Sequence, residues 1–217
     1  MSRIVLIHAV RVAMPPIAEA FAELWPEASL VNILEDSLSP DRAREGDLTS
    51  GMTARIRALG NYAVQAGADG VLYTCSAFGP AIEAAAREHA VPVLKPNEAM
   101  FDEVLAIGGR AGMVATFAPS IASMEAEFRD AAAKAGKAAS LRTVLAEGAM
   151  AALQGGDGAE HDRRVAEAAT TLAGCDVIML AHFSTARALA ATEKRTKAHV
   201  STAPHAAVKL LKRQLST

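Results

Sequence analysis

The chain has 217 residues, of which 51% are hydrophobic and 21% charged, and its formal net charge is −2. This length is enough for one domain or for two small domains with a substantial core. The charge balance argues against nucleic-acid binding, because such binding needs clustered Lys and Arg, whereas the one basic run here, 209–213, fits the exposed end of a last helix.

The hydropathy pattern and the cysteine content argue against a membrane protein and against a disulfide-rich fold. Residues 1–7 lead directly into a strand-like apolar run and lack the order of a secretory signal, and no apolar stretch reaches the ~18 residues of a membrane span. The two cysteines, Cys75 and Cys175, are not spaced as a metal-ligand pair. We therefore expect a soluble, cytoplasmic protein with at least one free thiol.

Short runs rich in Val, Ile and Leu alternate with alanine-rich amphipathic stretches along the whole chain, a pattern typical of β-α units with parallel sheets. In the first half the predicted strands are near 3–8, 28–34, 69–75 and 91–95, and the predicted helices near 14–25, 50–67, 79–89 and 97–107. In the second half the predicted strands are near 110–116, 139–145, 176–182 and 198–202, and the predicted helices near 120–135, 159–173, 184–192 and 204–215.

Two segments stand outside this alternation. The polar stretch Glu35–Thr49 has no counterpart of matching length in the second half, so we expect a long loop that serves as a lid or a plain surface excursion. Gly155–Gly158 follows helix-like residues rather than a strand, which argues against a phosphate-binding loop. Gly67, Gly136 and Gly174 are expected to end helices.

The two halves are similar in sequence at an offset of 107 residues (176 − 69). The segment Asp69-Gly-Val-Leu-Tyr-Thr-Cys75-Ser aligns with Asp176-Val-Ile-Met-Leu-Ala-His182-Phe. Such a duplication predicts two similar lobes, 1–97 plus 204–217 and 98–203, that face each other across a cleft. Cys75 and His182 would then lie within roughly 10 Å of each other across that cleft.

Cys75 is the main candidate for chemistry. It ends a predicted strand just before a helix, the edge of a parallel sheet where ligands bind. We expect the helix dipole to lower the pKa of this thiol and to provide a base or nucleophile. Its neighbours Thr74, Ser76 and Ala77 offer hydroxyl and N–H groups to a carboxylate or enolate. Cys175 is expected to be structural.

The candidates in the second half surround the equivalent strand end. A neutral His182 could accept or return a proton, or it could be a hydrogen-bonded structural residue. Further residues are expected to line the site and bind substrate, and these are His8, Thr116, Ser120, Phe183 and Ser184. No carboxylates stand at ligand spacing from the histidines, so no metal site is predicted.

Thr74-Cys75-Ser76-Ala77, the duplicated α/β halves and the segment Met179–Phe183 together resemble the aspartate/glutamate/hydantoin racemase superfamily. The resemblance implies two flavodoxin-like half-domains with mainly parallel sheets and the substrate between them. It implies proton movement at the carbon next to a carboxyl or carbonyl by cysteines at two strand ends, without cofactor or metal. Cys75 matches the first cysteine. His182 replaces the second, and His8 stands where many relatives have a small polar residue.

The expected activity is therefore that of a cofactor-independent racemase or isomerase acting on a small carboxylate, amino acid or hydantoin. The replacement of a cysteine by His182 leaves other outcomes open, namely a single-cysteine decarboxylase or lyase, a C–N hydrolase, or a binding protein that has lost turnover. The expected partner is a small-molecule carboxylate or cyclic amide, with a homo-oligomer left open.

Overall fold

A computed structural model describes residues 1–216, which form two four-stranded parallel sheets flanked by helices. Contacts divide the chain into two compact units, Met1–Pro96 with the segment from Ala207 onward, and Asn97–Ala206. The predicted α/β class with two similar parallel halves is confirmed. Among residues 1–216, no helix combines the length and the apolar character that crossing a bilayer requires.

The first unit contains the sheet β2-β1-β3-β4. Its strands are β1 (Arg3–His8), β2 (Ser29–Leu34), β3 (Gly70–Tyr73) and β4 (Val93–Leu94). Its helices are α1 (Met14–Leu24), α2 (Leu38–Glu45), α3 (Ser50–Gln65) and α4 (Gly79–Ala86). The inner strands β1 and β3 carry continuous apolar runs because helices cover both faces of a parallel sheet.

The second unit contains the sheet β6-β5-β7-β8. Its strands are β5 (Arg110–Ala115), β6 (Ser140–Leu145), β7 (Val177–Leu180) and β8 (His199–Thr202). Its helices are α5 (Glu98–Ile107), α6 (Ile121–Lys134), α7 (Ala149–Gln154), α8 (Gly158–Thr170) and α9 (Leu189–Glu193). The last helix, α10 (Ala203–Leu215), starts in this unit and continues in the first.

The duplication read from the sequence extends to single hydrogen bonds. The carboxylate of Asp69 accepts the backbone N–H of Arg3 at 2.7 Å, and that of Asp176 accepts the N–H of Arg110 at 2.8 Å. Each bond joins the start of the first strand to the residue just before the third strand of its sheet. Gly67 and Gly174, two residues before these aspartates, have φ angles of +81° and +92°. Gly67 ends α3 as expected, whereas Gly174 lies at the end of a turn four residues beyond α8.

The prediction of a loop over Glu35–Thr49 is wrong, because residues 38–45 of this stretch form α2. The side chain of Arg55, on α3, anchors this polar helix through salt bridges to Glu35 and Asp41. A shorter helix, α7, stands at the corresponding place after β6. The sequence did not reveal α2 because the helix is mostly polar and buries only Leu38 in the core.

The predicted helix near 184–192 is also different in detail. Its first part is a 3-10 turn, Phe183–Ala188, and only Leu189–Glu193 is α-helical. A corresponding but shorter 3-10 turn, Ser76–Phe78, lies between β3 and α4. Both turns therefore begin directly after the two main candidate residues.

Candidate active site

The candidate residues lie at the carboxyl edges of the two sheets. In the first unit, His8 ends β1 and Thr74 and Cys75 follow β3. In the second unit, Thr116 follows β5 and His182 follows β7 by two residues. Because all strands of each sheet are parallel, these positions share the edge at which α/β proteins bind ligands.

Cys75 has an extended backbone, with φ −119° and ψ 120°, and it directly precedes the 3-10 turn Ser76–Phe78. It is a free, partly exposed cysteine. Burial raises the pKa of this thiol, while a hydrogen bond from the Ala77 N–H and the charge of Arg42 act in the opposite direction. The predicted lowering of the pKa is thus wrong, because the Ala77 hydrogen bond and the Arg42 charge offset desolvation only in part.

Arg42 is a functional candidate that the sequence did not reveal. It lies on α2, and its Nε donates to the carbonyl oxygen of Ala77 at 3.4 Å while its Nη1 donates to Gly46. The Ala77 peptide therefore accepts a hydrogen bond from Arg42 and gives one to the Cys75 sulfur. Only the run of charges in 41–45 could have drawn attention to this segment, and it does not identify Arg42.

His8 is fully buried and holds Thr74 next to the thiol. Its Nε2 lies 2.9 Å from Oδ1 of Asn32, and its Nδ1 lies 2.9 Å from Oγ1 of Thr74. Since the amide oxygen can only accept, Nε2 carries the proton and Nδ1 accepts from the Thr74 hydroxyl. Burial lowers the pKa of His8, so this neutral form is favoured. His8 was expected to line the site, and in the structure it supports Thr74 through a hydrogen bond. Asn32, which bonds the other ring nitrogen of His8, was not identified from the sequence.

His182 makes hydrogen bonds with both ring nitrogens. Its Nδ1 accepts the backbone N–H of Thr116 at 3.2 Å, and its Nε2 lies 2.8 Å from Oγ of Ser120. Because a backbone N–H can only donate, Nδ1 is unprotonated and the proton of the neutral ring is on Nε2. The Ser120 hydroxyl then donates to the carbonyl oxygen of Phe117 at 2.8 Å. The structure thus brings Thr116 and Ser120 together with His182.

The pKa of His182 is lowered to about 4, first by burial and then by the charge of His161. The ring is therefore neutral near neutral pH, as the sequence analysis supposed. Its pKa is no longer near the operating pH, however, because the surroundings disfavour the imidazolium. Protonation at Nδ1 would in addition place two donors, the ring N–H and the Thr116 N–H, against each other.

The other predicted site residues lie within the two turns. Ser76 and Ala77 belong to the turn after Cys75, and Phe183 and Ser184 belong to the turn after His182. The Phe183 ring is 2% exposed and packs in the core, so only its backbone could face a ligand. Cys175 precedes β7, at the end of the strand opposite His182, and packs on the apolar cluster of the second unit.

No group of three or more His, Cys, Asp or Glu side chains within residues 1–216 is arranged to hold a metal ion. The groups suited to hold a small anion are backbone N–H groups and hydroxyls at the two strand ends. These are the hydroxyl of Ser76 and N–H groups of the two 3-10 turns other than those of Ala77 and Thr185, which are bonded to the Cys75 sulfur and to the His182 carbonyl oxygen. Such groups can bind a carboxylate and stabilise a developing enolate.

The fold consists of two parallel α/β halves, with a thiol and an imidazole at equivalent strand ends. The family model described as Asp/Glu/Hydantoin racemase matches residues 12–211, and the chain belongs to this family. The resemblance inferred from Thr74–Ala77 and Met179–Phe183 is thereby confirmed. The family match makes the protein an enzyme of the racemase or isomerase type.

Solved structures agree with this fold. Glutamate racemase isoform RacE1 from Bacillus anthracis has a TM-score of 0.76 at 12% identity, with 99% of this chain and 82% of that chain covered. An aspartate racemase homologue from Pyrococcus horikoshii OT3 has a TM-score of 0.74 at 14% identity, with both chains fully covered. Allantoin racemase from Klebsiella pneumoniae has a TM-score of 0.72 at 19% identity, covering 100% and 88%.

At these identities the structural likeness establishes the fold and leaves the substrate open. No curated protein sequence matches the chain.

Proposed function

We propose that the protein is a cofactor-independent, cytoplasmic racemase or isomerase that moves a proton at the carbon next to a carboxyl or carbonyl group. The substrate is a small carboxylate, amino acid or hydantoin. The observation that carries this proposal is the Cys75 thiol at the carboxyl end of β3, supported by the Ala77 N–H and the Arg42 charge. The structures of glutamate, aspartate-type and allantoin racemases are consistent with this range of substrates.

In the proposed reaction, the Cys75 thiolate takes the proton from the substrate carbon and becomes a thiol. The electron pair left on carbon delocalises into the adjacent carboxyl or carbonyl group, and the Ser76 hydroxyl with the turn N–H groups other than that of Ala77 stabilises this enolate. Return of a proton to carbon completes the exchange. Since burial raises the thiol pKa, thiolate formation depends on Ala77 and Arg42, whose effects oppose that shift.

Inversion of configuration requires a second group that delivers a proton to the other face of the carbon. We propose His182 for this role, by its position at the equivalent strand end. Its Nε2 proton is donated to Ser120, so that bond would have to break during transfer. Action of Cys75 and His182 on one substrate stays a prediction.

The same hydrogen bonds favour a second candidate function. A ring with both nitrogens engaged, and with a pKa lowered to about 4, is suited to binding and support rather than to proton delivery. In that case Cys75 acts alone, as in a single-cysteine decarboxylase or lyase, and the proton returns from the thiol to one face. A non-catalytic binding protein would show neither reaction.

The deciding experiment is deuterium incorporation from heavy water into a panel of small carboxylates, amino acids and hydantoins. We expect exchange at the carbon next to the carboxyl or carbonyl, with loss of exchange in Cys75→Ala. Cys175→Ser is the matched control, because its thiol lies at the opposite end of β7. Exchange that survives in Cys75→Ala would contradict the proposal. Binding of a panel compound without any turnover would favour the binding-protein alternative.

A further inference from the structure

His161 is the buried titratable residue of the second unit that the proposed reaction does not use. It lies at the start of α8, is fully buried, and its Nδ1 lies 2.8 Å from Oδ1 of Asp162. Its Nε2 is also buried and finds no hydrogen-bond partner among residues 1–216. A buried ring nitrogen without a partner is costly, so its place in the structure needs a reason.

The buried position of His161 is explained by its bond to Asp162, which connects α8 to the turn that follows His182. Its Oδ1 accepts from Nε of Arg187 at 2.8 Å, and its Oδ2 accepts from Nη2 at 3.2 Å. Arg187 belongs to the 3-10 turn Phe183–Ala188, against which α8 packs. Because the carboxylate can only accept, Nδ1 of His161 is its donor. We call His161, Asp162 and Arg187 the α8 clamp.

Gly158 makes room for this clamp. A methyl group at Gly158 would overlap the guanidinium of Arg187, so the arginine lies directly over the first residue of α8. Only a residue without a side chain allows this approach. The α8 clamp therefore requires a glycine at position 158 because of space, since the φ angle of Gly158 is not in the left-handed region.

The turn held by the α8 clamp is joined to His182 at its other end. The Oγ1 of Thr185 accepts the His182 N–H at 3.1 Å and donates to the His182 carbonyl oxygen at 2.6 Å. The Thr185 N–H also donates to that carbonyl oxygen, at 3.0 Å. A shift of this turn would move the imidazole away from Thr116 and Ser120, whose bonds set its tautomer.

We propose that the α8 clamp positions His182, so that His161, Asp162 and Arg187 are positioning residues of the proposed site. The inference rests on the proposed function, in which His182 belongs to that site. The charge of His161 is also among the causes of the lowered pKa of His182. The cost of an unpaired Nε2 is then a consequence of placing the ring where Nδ1 can hold Asp162.

Two variants break the α8 clamp in different ways. Gly158→Ala displaces Arg187 without removing any charged or polar group, and alanine is favoured over glycine in a helix. Asp162→Asn keeps the shape of the side chain and weakens both of its links. His161→Asn is the conservative variant. Its amide N–H can replace the Nδ1 donor to Asp162, and the unpaired Nε2 is removed, so the α8 clamp should be preserved. Arg163→Gln is the control, since Arg163 lies on the exposed side of the same helix and pairs with Glu160 and Glu167.

The first readout is the imidazole of His182 in long-range proton–nitrogen NMR spectra near neutral pH. We expect a proton on Nε2 in the wild type, in His161→Asn and in Arg163→Gln. Gly158→Ala and Asp162→Asn are expected to shift the ring nitrogen signals towards a mixture of tautomers. The second readout is proton exchange, for which these two variants should lower kcat by roughly 10- to 100-fold with KM changed by less than about threefold.

Unchanged His182 signals in folded Gly158→Ala and Asp162→Asn would overturn the inference, and so would loss of the signals in His161→Asn. If Gly158→Ala does not fold, Asp162→Asn decides. If the wild type exchanges no proton with any compound, the proposed function fails, but the NMR readout still shows whether the α8 clamp positions the ring.

Discussion

The turn after Cys75 and the turn after His182 stand at equivalent places in two sheets of the same strand order, and they are built differently. The first spans Ser76–Phe78 and is held through the Ala77 carbonyl by Arg42 from α2. The second spans Phe183–Ala188 and is closed on His182 by Thr185. The comparison shows that the two halves place their candidate residues at equivalent positions but hold the following turns by different contacts.

The two candidate residues also differ in their freedom to react. The Cys75 sulfur receives one hydrogen bond, from the Ala77 N–H, and a cation lies near. Both ring nitrogens of His182 are engaged, and no carboxylate within residues 1–216 is bonded to them. Burial favours the uncharged form in both cases, which raises the pKa of the thiol and lowers that of the imidazole. We therefore expect the halves to contribute unequally to the reaction.

The largest effect is expected from Cys75→Ala. If the thiol carries the proton, exchange should fall by at least about 1000-fold, because general acid–base groups contribute up to roughly four orders of magnitude. The rate of deuterium incorporation measures this, and thermal unfolding checks that the variant is folded. Cys175→Ser should stay within about twofold of the wild type. Equal losses in both variants would remove the distinction between the two cysteines.

His182→Gln tests the second half directly. Glutamine can still donate to Ser120 but cannot carry a proton to the substrate, so interconversion of enantiomers should fall by roughly 100-fold or more. Exchange with solvent should remain within about tenfold of the wild type, because Cys75 is intact. Chiral chromatography and mass spectrometry separate these two quantities.

Full interconversion by His182→Gln would reduce the histidine to a binding or structural residue. A wild type that exchanges protons without any inversion would instead favour the single-cysteine candidate.

Arg42→Gln tests how the first half supports its thiol. Loss of the positive charge should raise the pKa of Cys75 further and leave about 3- to 10-fold less thiolate at a fixed pH. The pH dependence of alkylation by iodoacetamide measures the change. The control is Arg44→Gln, on the same helix but exposed and paired with Asp41. An identical alkylation profile in Arg42→Gln and the wild type would exclude this role.

The smallest effect concerns stability against acid. In the unfolded chain a histidine titrates near its ordinary value of 6.5, whereas in the folded protein the pKa of His182 is about 4. Between these values the unfolded state binds more protons, so the free energy of unfolding falls as the pH falls from about 6.5 to about 4.

His182→Gln should reduce this dependence by about 1 kcal/mol per pH unit within that window. Urea unfolding at several pH values provides the measurement. Part of the dependence should persist, because burial lowers the pKa of His8 in the same direction. A variant with the full wild-type slope would show that His182 is not held neutral by the fold.

Much of the fold could be predicted from the sequence, because the positions of strands and helices depend mainly on local sequence patterns. Apolar strands, alanine-rich helices and the glycines that end them placed nearly all elements, and the repeat around Asp69 and Asp176 predicted two similar halves. Helix α2 was missed because its polar residues are held by Arg55, a contact between distant parts of the chain. For the same reason Arg42 and Asn32, which lie near the thiol and His8 only after folding, were not found.

By itself, the sequence determined the α/β class, the duplication, the family and the placement of Cys75 and His182 after equivalent strands, since periodicity and strand-end position are properties of the chain. Tertiary structure alone decided the protonation of these residues. Burial outweighed the Ala77 hydrogen bond and the Arg42 charge at the thiol, and the Thr116 N–H selected the tautomer of His182. Desolvation and hydrogen-bond direction depend on which groups meet in space, and no local pattern specifies that.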